Sequence, residues 1–231
     1  MKKFLSSLLA LMMILSMFVS TAGLNVSAAG GMIGQVSKMG ERIQTAKPFD
    51  KMPRTFEAVI KLPADYKGRA GVIIGNYKNA STTAISFEIN DGGIPRLYYQ
   101  QDKATFNHVF SQVDIRSNDE PVRLTLVQDP ASKTITCYIN GEAKQTLNAA
   151  ANLPDELLPT NAQVVGGDLR ADNAQFFKGT IYKINVYADP LTADQVKAGQ
   201  GTGLLASYDF TAASNQQADL SGNGYDLTGT G

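Results

Sequence analysis

The run DLSGNGYD places Asp219, Ser221, Asn223 and Asp226 within one short glycine-bearing stretch. Oxygen donors at alternate positions on a tight loop can wrap a hard cation such as calcium. Asp219, Ser221, Asn223 and Gly224 match positions 1, 3, 5 and 6 of an EF-hand loop, but position 12 falls on Thr230, which has no carboxylate. The EF-hand reading therefore fails. Two readings stay open: a looser calcium site at Asp219, Asn223 and Asp226, or a plain Asx/Gly turn between strands. Asp168, after Gly166-Gly167 and before Asp172-Asn173, could add oxygens to a metal or polar-ligand site, or could simply face water.

Aromatic residues offer a different chemistry. Tyr98 and Tyr99 are adjacent, so on a strand they point to opposite faces, one of them into the core. The other, with Tyr77 and Phe106, could form a platform on which a sugar stacks its C–H face. The chain has no tryptophan, the commonest stacking residue, and this counts against the platform.

Catalytic chemistry finds few residues. His108 is the single histidine, and no G-x-S-x-G elbow occurs. Glycoside hydrolysis needs two apposed carboxylates. Glu88 and Asp91 lie three apart at a strand end, so they do not aim at one bond. The lone Cys137 shares a face with Ile135 and Ile139 and reads as a buried thiol. The glycines of Gly199–Gly203 precede no long helix, which is a poor setting for phosphate.

The elements that must carry these residues are short alternating strands. In Thr55–Pro63, Phe56, Ala58, Ile60 and Leu62 share one face. Further strands are expected at Gly71–Asn76, Ile85–Asn90, Arg96–Gln100, more weakly Val109–Asp114, and Val122–Leu126. In Thr134–Leu147, two alternating runs meet at Asn140-Gly141, a pair suited to a type I′ hairpin turn. Residues Gln163–Gly166, Gly179–Ala188 and Leu204–Phe210 follow as strands, and Thr192-x-x-Gln195 is a capping box opening a short helix. Many short strands with turn punctuation and almost no helix predict an all-β, two-sheet antiparallel β-sandwich.

The order of TFEAVIKLP (Thr55–Pro63), VRLTLVQDPASKTITCYINGE (Val122–Glu142) and VVGGDLRADNAQFFKGTIYKINVYADPLTADQV (Val164–Val196) resembles the laminin-G-like, concanavalin A-like jelly-roll family. The resemblance spans roughly Thr55–Val196 and implies a jelly roll. It implies less about function, because the fold hosts lectins, adhesion modules, enzyme accessory domains and glycosidases. In related modules, a strand like LLASYDF followed by a DxSGNGxD-type run usually stands at the N-terminal start of the domain. Here it stands at residues 204–231. Either it completes the sandwich from the far end or it begins a truncated second module; the sequence favours the second. Residues 32–198 then form the jelly-roll domain and 199–203 a glycine-rich linker.

The chain opens as an export signal: Lys2 and Lys3, an apolar run over Phe4–Val19, then Val26-Ser27-Ala28 as a small-x-small site, with cleavage expected after residue 28. No later segment is apolar enough to span a bilayer. The remaining 203 residues carry 19 basic and 21 acidic side chains, so neither nucleic acid nor an anionic membrane is favoured as a partner. A disulfide-free exported chain suits a Gram-positive bacterium. The sequence thus predicts a secreted or cell-surface, non-catalytic module that recognises a glycan or cell-surface ligand. It is calcium-supported if the oxygen loops bind metal, and an accessory domain if it belongs to a larger enzyme. The alternatives are a jelly-roll hydrolase with unfamiliar acids and a structural spacer.

Overall fold

The computed structural model describes residues 32–33, 42–67, 70–116, 120–150, 153–170, 175–212 and 217–230. The expected export segment and Asp172-Asn173 lie outside them. Among the described residues, fourteen strands form two seven-stranded sheets. The first sheet contains β1 (Met32–Ile33), β3 (Thr55–Lys61), β8 (Val122–Asp129), β9 (Thr134–Ile139), β10 (Glu142–Asn148), β12 (Thr180–Tyr187) and β13 (Leu204–Asp209). The second runs β14 (Leu227–Thr230), β2 (Arg42–Thr45), β11 (Val164–Val165), β4 (Gly71–Gly75), β5 (Ala84–Asn90), β6 (Ile94–Gln101), β7 (Ala104–Val109). All pairings between these strands are antiparallel.

Alternation builds the core. Phe56, Ala58 and Ile60 of β3, Leu124 and Leu126 of β8, and Ile135 and Cys137 of β9 point inward from the first sheet. Ile85, Phe87 and Ile89 of β5 with Leu97 and Tyr99 of β6 meet them from the second. Phe56 and Phe87 touch across the sandwich with ring centroids 5.8 Å apart. Burying each such side chain stabilises the fold by about 1.5–3 kcal/mol before entropy is counted. Cys137 is fully buried there, and burial pushes its thiol up to about 12, so it is an inert core residue.

The hairpin of β9 and β10 turns at Asn140-Gly141 with φ of 53° and 87°, the left-handed pair that a type I′ turn requires. The capping box is present: the Thr192 hydroxyl accepts from Gln195 N, and the Gln195 side chain accepts from Thr192 N. It starts helix α1 (Ala193–Ala198), which Gly199 ends at φ 66°. Val196 of this helix is buried with Val127, Tyr138, Tyr187 and Leu191, so α1 covers part of the outer face of the first sheet.

Two expectations are corrected. The weak strand at Val109–Asp114 is instead β7 at Ala104–Val109; its ATFNHV sequence is exposed along much of its length, as an edge strand's is, and lacks a clean apolar stripe. More consequentially, residues 204–230 are not set apart as a second module. β13 pairs with β12 in one sheet and β14 pairs with β2 in the other. Tyr208, Phe210, Tyr225 and Leu227 belong to the common core. Gly199–Gly203 is accordingly a short connection within the sandwich, where Ala188 N donates to Gly203 O at 2.8 Å.

Candidate functional site

The outer face of the second sheet gathers charge and aromatic surface. Along β5, Ser86 and Glu88 point away from the core; on β6, Arg96 and Tyr98 lie opposite them, in the register Glu88↔Arg96 and Ser86↔Tyr98. This pairing follows from the turn at Asp91-Gly92-Gly93, whose glycines adopt φ of 84° and 70°. The segment after β11 then crosses this face, tied down where Gly166 N donates to Ile73 O and Leu169 N donates to Tyr77 O. It delivers Asp168 and Arg170.

Six side chains form a chain of contacts there. Arg96 Nε donates to Glu88 Oε2 at 2.6 Å, and Arg96 Nη2 converges on the same oxygen. The Arg96 guanidinium lies 5.7 Å from the Tyr98 ring centroid. Tyr98 meets Tyr77 edge to face at 5.5 Å. Arg170 lies 5.0 Å over Tyr77. Arg170 Nε donates to Asp168 Oδ2 at 2.9 Å, while Arg170 N donates to Asp168 Oδ1 at 2.9 Å. Asp168 and Arg170 act electrostatically on Glu88 and complete the circuit. Burial pushes the Glu88 carboxyl up to about 7; the Arg96 charge and its hydrogen bond pull against that shift, and Asp168 adds to it. Burial also pushes the Tyr98 hydroxyl up to about 12.

The carboxylates Glu88 and Asp168 are mostly buried, whereas Arg96 and Arg170 keep 17% and 21% of their side chains exposed. Both arginines line an open cleft of about 450 Å³ with Asn90, Asp91, Ile94 and Gln175. Cations at the surface, held from beneath by buried acids and flanked by tyrosines, suit a ligand that is anionic and carries apolar C–H faces.

The structure sorts the residues expected from sequence. Tyr77 and Tyr98 come together at this cluster, and Asp168 joins them as the partner of Arg170 rather than beside the other proposed metal ligands. Tyr99 is fully buried in the core. Phe106 is paired with Tyr99 in register and packs partly buried against that core. Neither belongs to the platform, a correction that follows from the two-residue period of a strand. Arg96, Arg170 and the role of Glu88 were missed. The Glu88–Arg96 pair was legible, since counting back from the DGG turn sets the two residues opposite each other. Arg170 carried no such signal, because a loop crossing has no period.

Asp219, Asn223 and Asp226 sit together elsewhere, in the loop joining β13 to β14. Asp219 accepts from Ser207 N, Ser221 N, Tyr225 N and the Ser221 hydroxyl, at 2.8–3.1 Å. Asp226 accepts from Asp219 N at 2.8 Å, and Asn223 Nδ2 donates to Leu204 O and Leu205 O. The loop's side chains thus serve its own backbone. Among the described residues, no three His, Cys, Asp or Glu side chains come together as a group able to hold a metal ion.

Comparison with known proteins agrees with this architecture. No curated protein sequence matches the chain. Among solved structures, the CBM40 of the Ruminococcus gnavus IT-sialidase, bound to α2,6-sialyllactose, is similar at 18% identity over 71% of this chain and 97% of that one, with a TM-score of 0.52. A Bacteroides ovatus protein described as a candidate carbohydrate-binding protein is similar at 16% identity over 84% of this chain and 58% of that one, with a TM-score of 0.58. At these identities the likeness is one of fold. The profile of the concanavalin A-like lectin/glucanases superfamily matches residues 41–197, more than half of the sequence. Together with the two-sheet jelly roll, that match identifies the chain as a member of the concanavalin A-like lectin/glucanase superfamily.

Proposed function

We propose that this protein is an exported glycan-binding module and that it takes acidic sugars at the cleft beside Arg96 and Arg170. The observation that carries the reading is the pair of partly exposed arginines, each fixed by a mostly buried carboxylate and each lying over a tyrosine. A guanidinium held in place loses little freedom when it receives a sugar carboxylate, and it offers two parallel N–H donors. Tyr77 and Tyr98 pack against the two guanidiniums and help to hold them at the cleft. The sialyllactose bound to the Ruminococcus gnavus CBM40 supports a carboxylated sugar as the first ligand to try.

Hydrolysis is the less favoured reading. Glu88 and Asp168 do share one face, but each is committed to an arginine, and Asp168 also accepts from main chain. No helix of the described residues is long and apolar enough to cross a membrane. Calorimetric titration of residues 29–231 with sialyllactose and with lactose tests the proposal. Binding of the acidic sugar alone, weakened at least tenfold in Arg96→Ala and Arg170→Ala, is the expected result. Equal binding of both sugars, unaffected by either substitution, would overturn it.

A further inference from the structure

We propose that the site takes up one proton from solvent together with its carboxylated sugar, and that Glu88 receives it. The inference rests on the acidic-sugar reading and adds a regulation to it. The cluster already holds two carboxylates, Glu88 and Asp168, against two guanidiniums, Arg96 and Arg170. A ligand carboxylate is a third anion brought against two guanidiniums whose resident carboxylates are themselves buried. Leaving it uncompensated is costly, and neutralising one resident acid removes the excess charge.

The two acids are not equivalent. Asp168 is supported by the main-chain N–H of Arg170 as well as by its guanidinium. Glu88 accepts from Arg96 Nε and Nη2, both at Oε2, with only the charge of Arg170 besides, and is 1% exposed. The groups around it are Arg96 and Tyr98 from β6, Asp168 and Arg170 from the crossing segment, and Tyr66 from the segment before β4, on which Asp91 of the turn also acts. On β4 its partner in register is the apolar Val72. Burial already brings Glu88 to about 7, so a proton is within reach near neutral pH. On binding, Glu88–COO⁻ takes H⁺ from solvent to become Glu88–COOH. Arg96 then turns its charge to the ligand carboxylate, and the net charge of the cluster is unchanged.

Affinity for the anionic sugar should therefore fall as pH rises past neutrality, by at most a decade per unit and by roughly 25-fold between pH 6.5 and 8.5. Two measurements on residues 29–231 test this. The first is an NMR pH titration of ¹³C-labelled glutamate carboxyls without ligand, with Glu88 identified by its absence in Glu88→Gln. A midpoint near 7 is expected, and one near 4.5 overturns the proposal. The second is calorimetry with sialyllactose in two buffers of different ionisation enthalpy at pH 7.5 and across the pH range. Net proton uptake and a pH-dependent affinity are expected in the wild type, with Glu88→Gln binding at least tenfold tighter than wild type at pH 8.5 and without the pH dependence. Should Glu88→Gln not fold, proton uptake by the wild type decides alone. Binding with no proton uptake and no pH dependence overturns the coupling but leaves the acidic-sugar reading standing. Absence of binding at every pH overturns both.

Discussion

Glu88 and Arg96 lie directly opposite each other across β5 and β6, and Nε and Nη2 of the arginine both donate to Glu88 Oε2. The pair is asymmetric: the arginine reaches the surface, whereas the carboxylate is covered. A covered acid paired in this way keeps a polar strand face in register while exposing only its cation. Its cost is a carboxylate held where the charged form is disfavoured.

That cost gives the first prediction. Folding raises the Glu88 value from 4.5 to about 7, so the folded state binds the proton more tightly than the unfolded chain. Its contribution to stability is full below 4.5 and is lost as pH rises through about 7. Urea unfolding of ligand-free protein should show stability falling between pH 5 and 8, and Glu88→Gln should flatten that slope. An unchanged slope in the variant would assign the dependence to other groups.

The adjacent tyrosines should behave as opposites. Tyr99→Ala empties a core position and should destabilise the fold by about 3 kcal/mol or more. Tyr98→Ala removes an outer-face ring that meets Tyr77 and donates to Gln100; it should cost about 1 kcal/mol in stability but weaken sugar binding. Tyr99→Phe is the sharper variant. Among the described residues the Tyr99 hydroxyl is buried without a hydrogen-bond partner, so its removal should leave stability unchanged or raise it by about 1 kcal/mol. Thermal unfolding of the three variants checks this, and a large loss in Tyr99→Phe would contradict the buried, unpartnered hydroxyl.

These contrasts mark what the sequence disclosed. The alternation in Thr55–Lys61 and Ala84–Asn90, the Asn140-Gly141 turn and the capping box at Thr192 are local rules, and each led to the observed element. The two faces of Tyr98 and Tyr99 were legible for the same reason. Arg170 and Asp168 reach the cluster only because the chain after β11 folds back over the sheet, which depends on hydrogen bonds to Ile73 and Tyr77 far away in sequence. The destination of residues 204–230 was hidden likewise: β14 pairs with β2 across about 180 residues, and no local pattern encodes that partner.

Deletion of residues 204–231 should abolish folding. It would uncover the edge of β12 that β13 pairs and the edge of β2 that β14 pairs, and it would remove Tyr208, Phe210, Tyr225 and Leu227 from the core. The losses together exceed the net stability of a typical domain, about 5–15 kcal/mol. Circular dichroism should show no cooperative melt in the truncated chain. A cooperative melt near that of the full chain would mean that the segment is dispensable.

Asp219 holds that terminal segment to the sandwich. Burial pushes its carboxyl up, but the Ser221 hydroxyl and the main-chain N–H groups of Tyr225, Ser221 and Ser207 outweigh this and leave it below the ordinary 3.8. Its stabilisation is therefore present above that value and is lost as pH falls below it, the opposite limb from Glu88. Asp219→Ala leaves several N–H groups without their acceptor and should cost about 2–3 kcal/mol at pH 7. Since these oxygens already serve the backbone, the melting midpoint of the wild type should be the same in calcium and in EDTA. A midpoint that rises with calcium, and ceases to do so in Asp219→Ala, would instead place a cation in the loop and make its hydrogen bonds the metal-free arrangement.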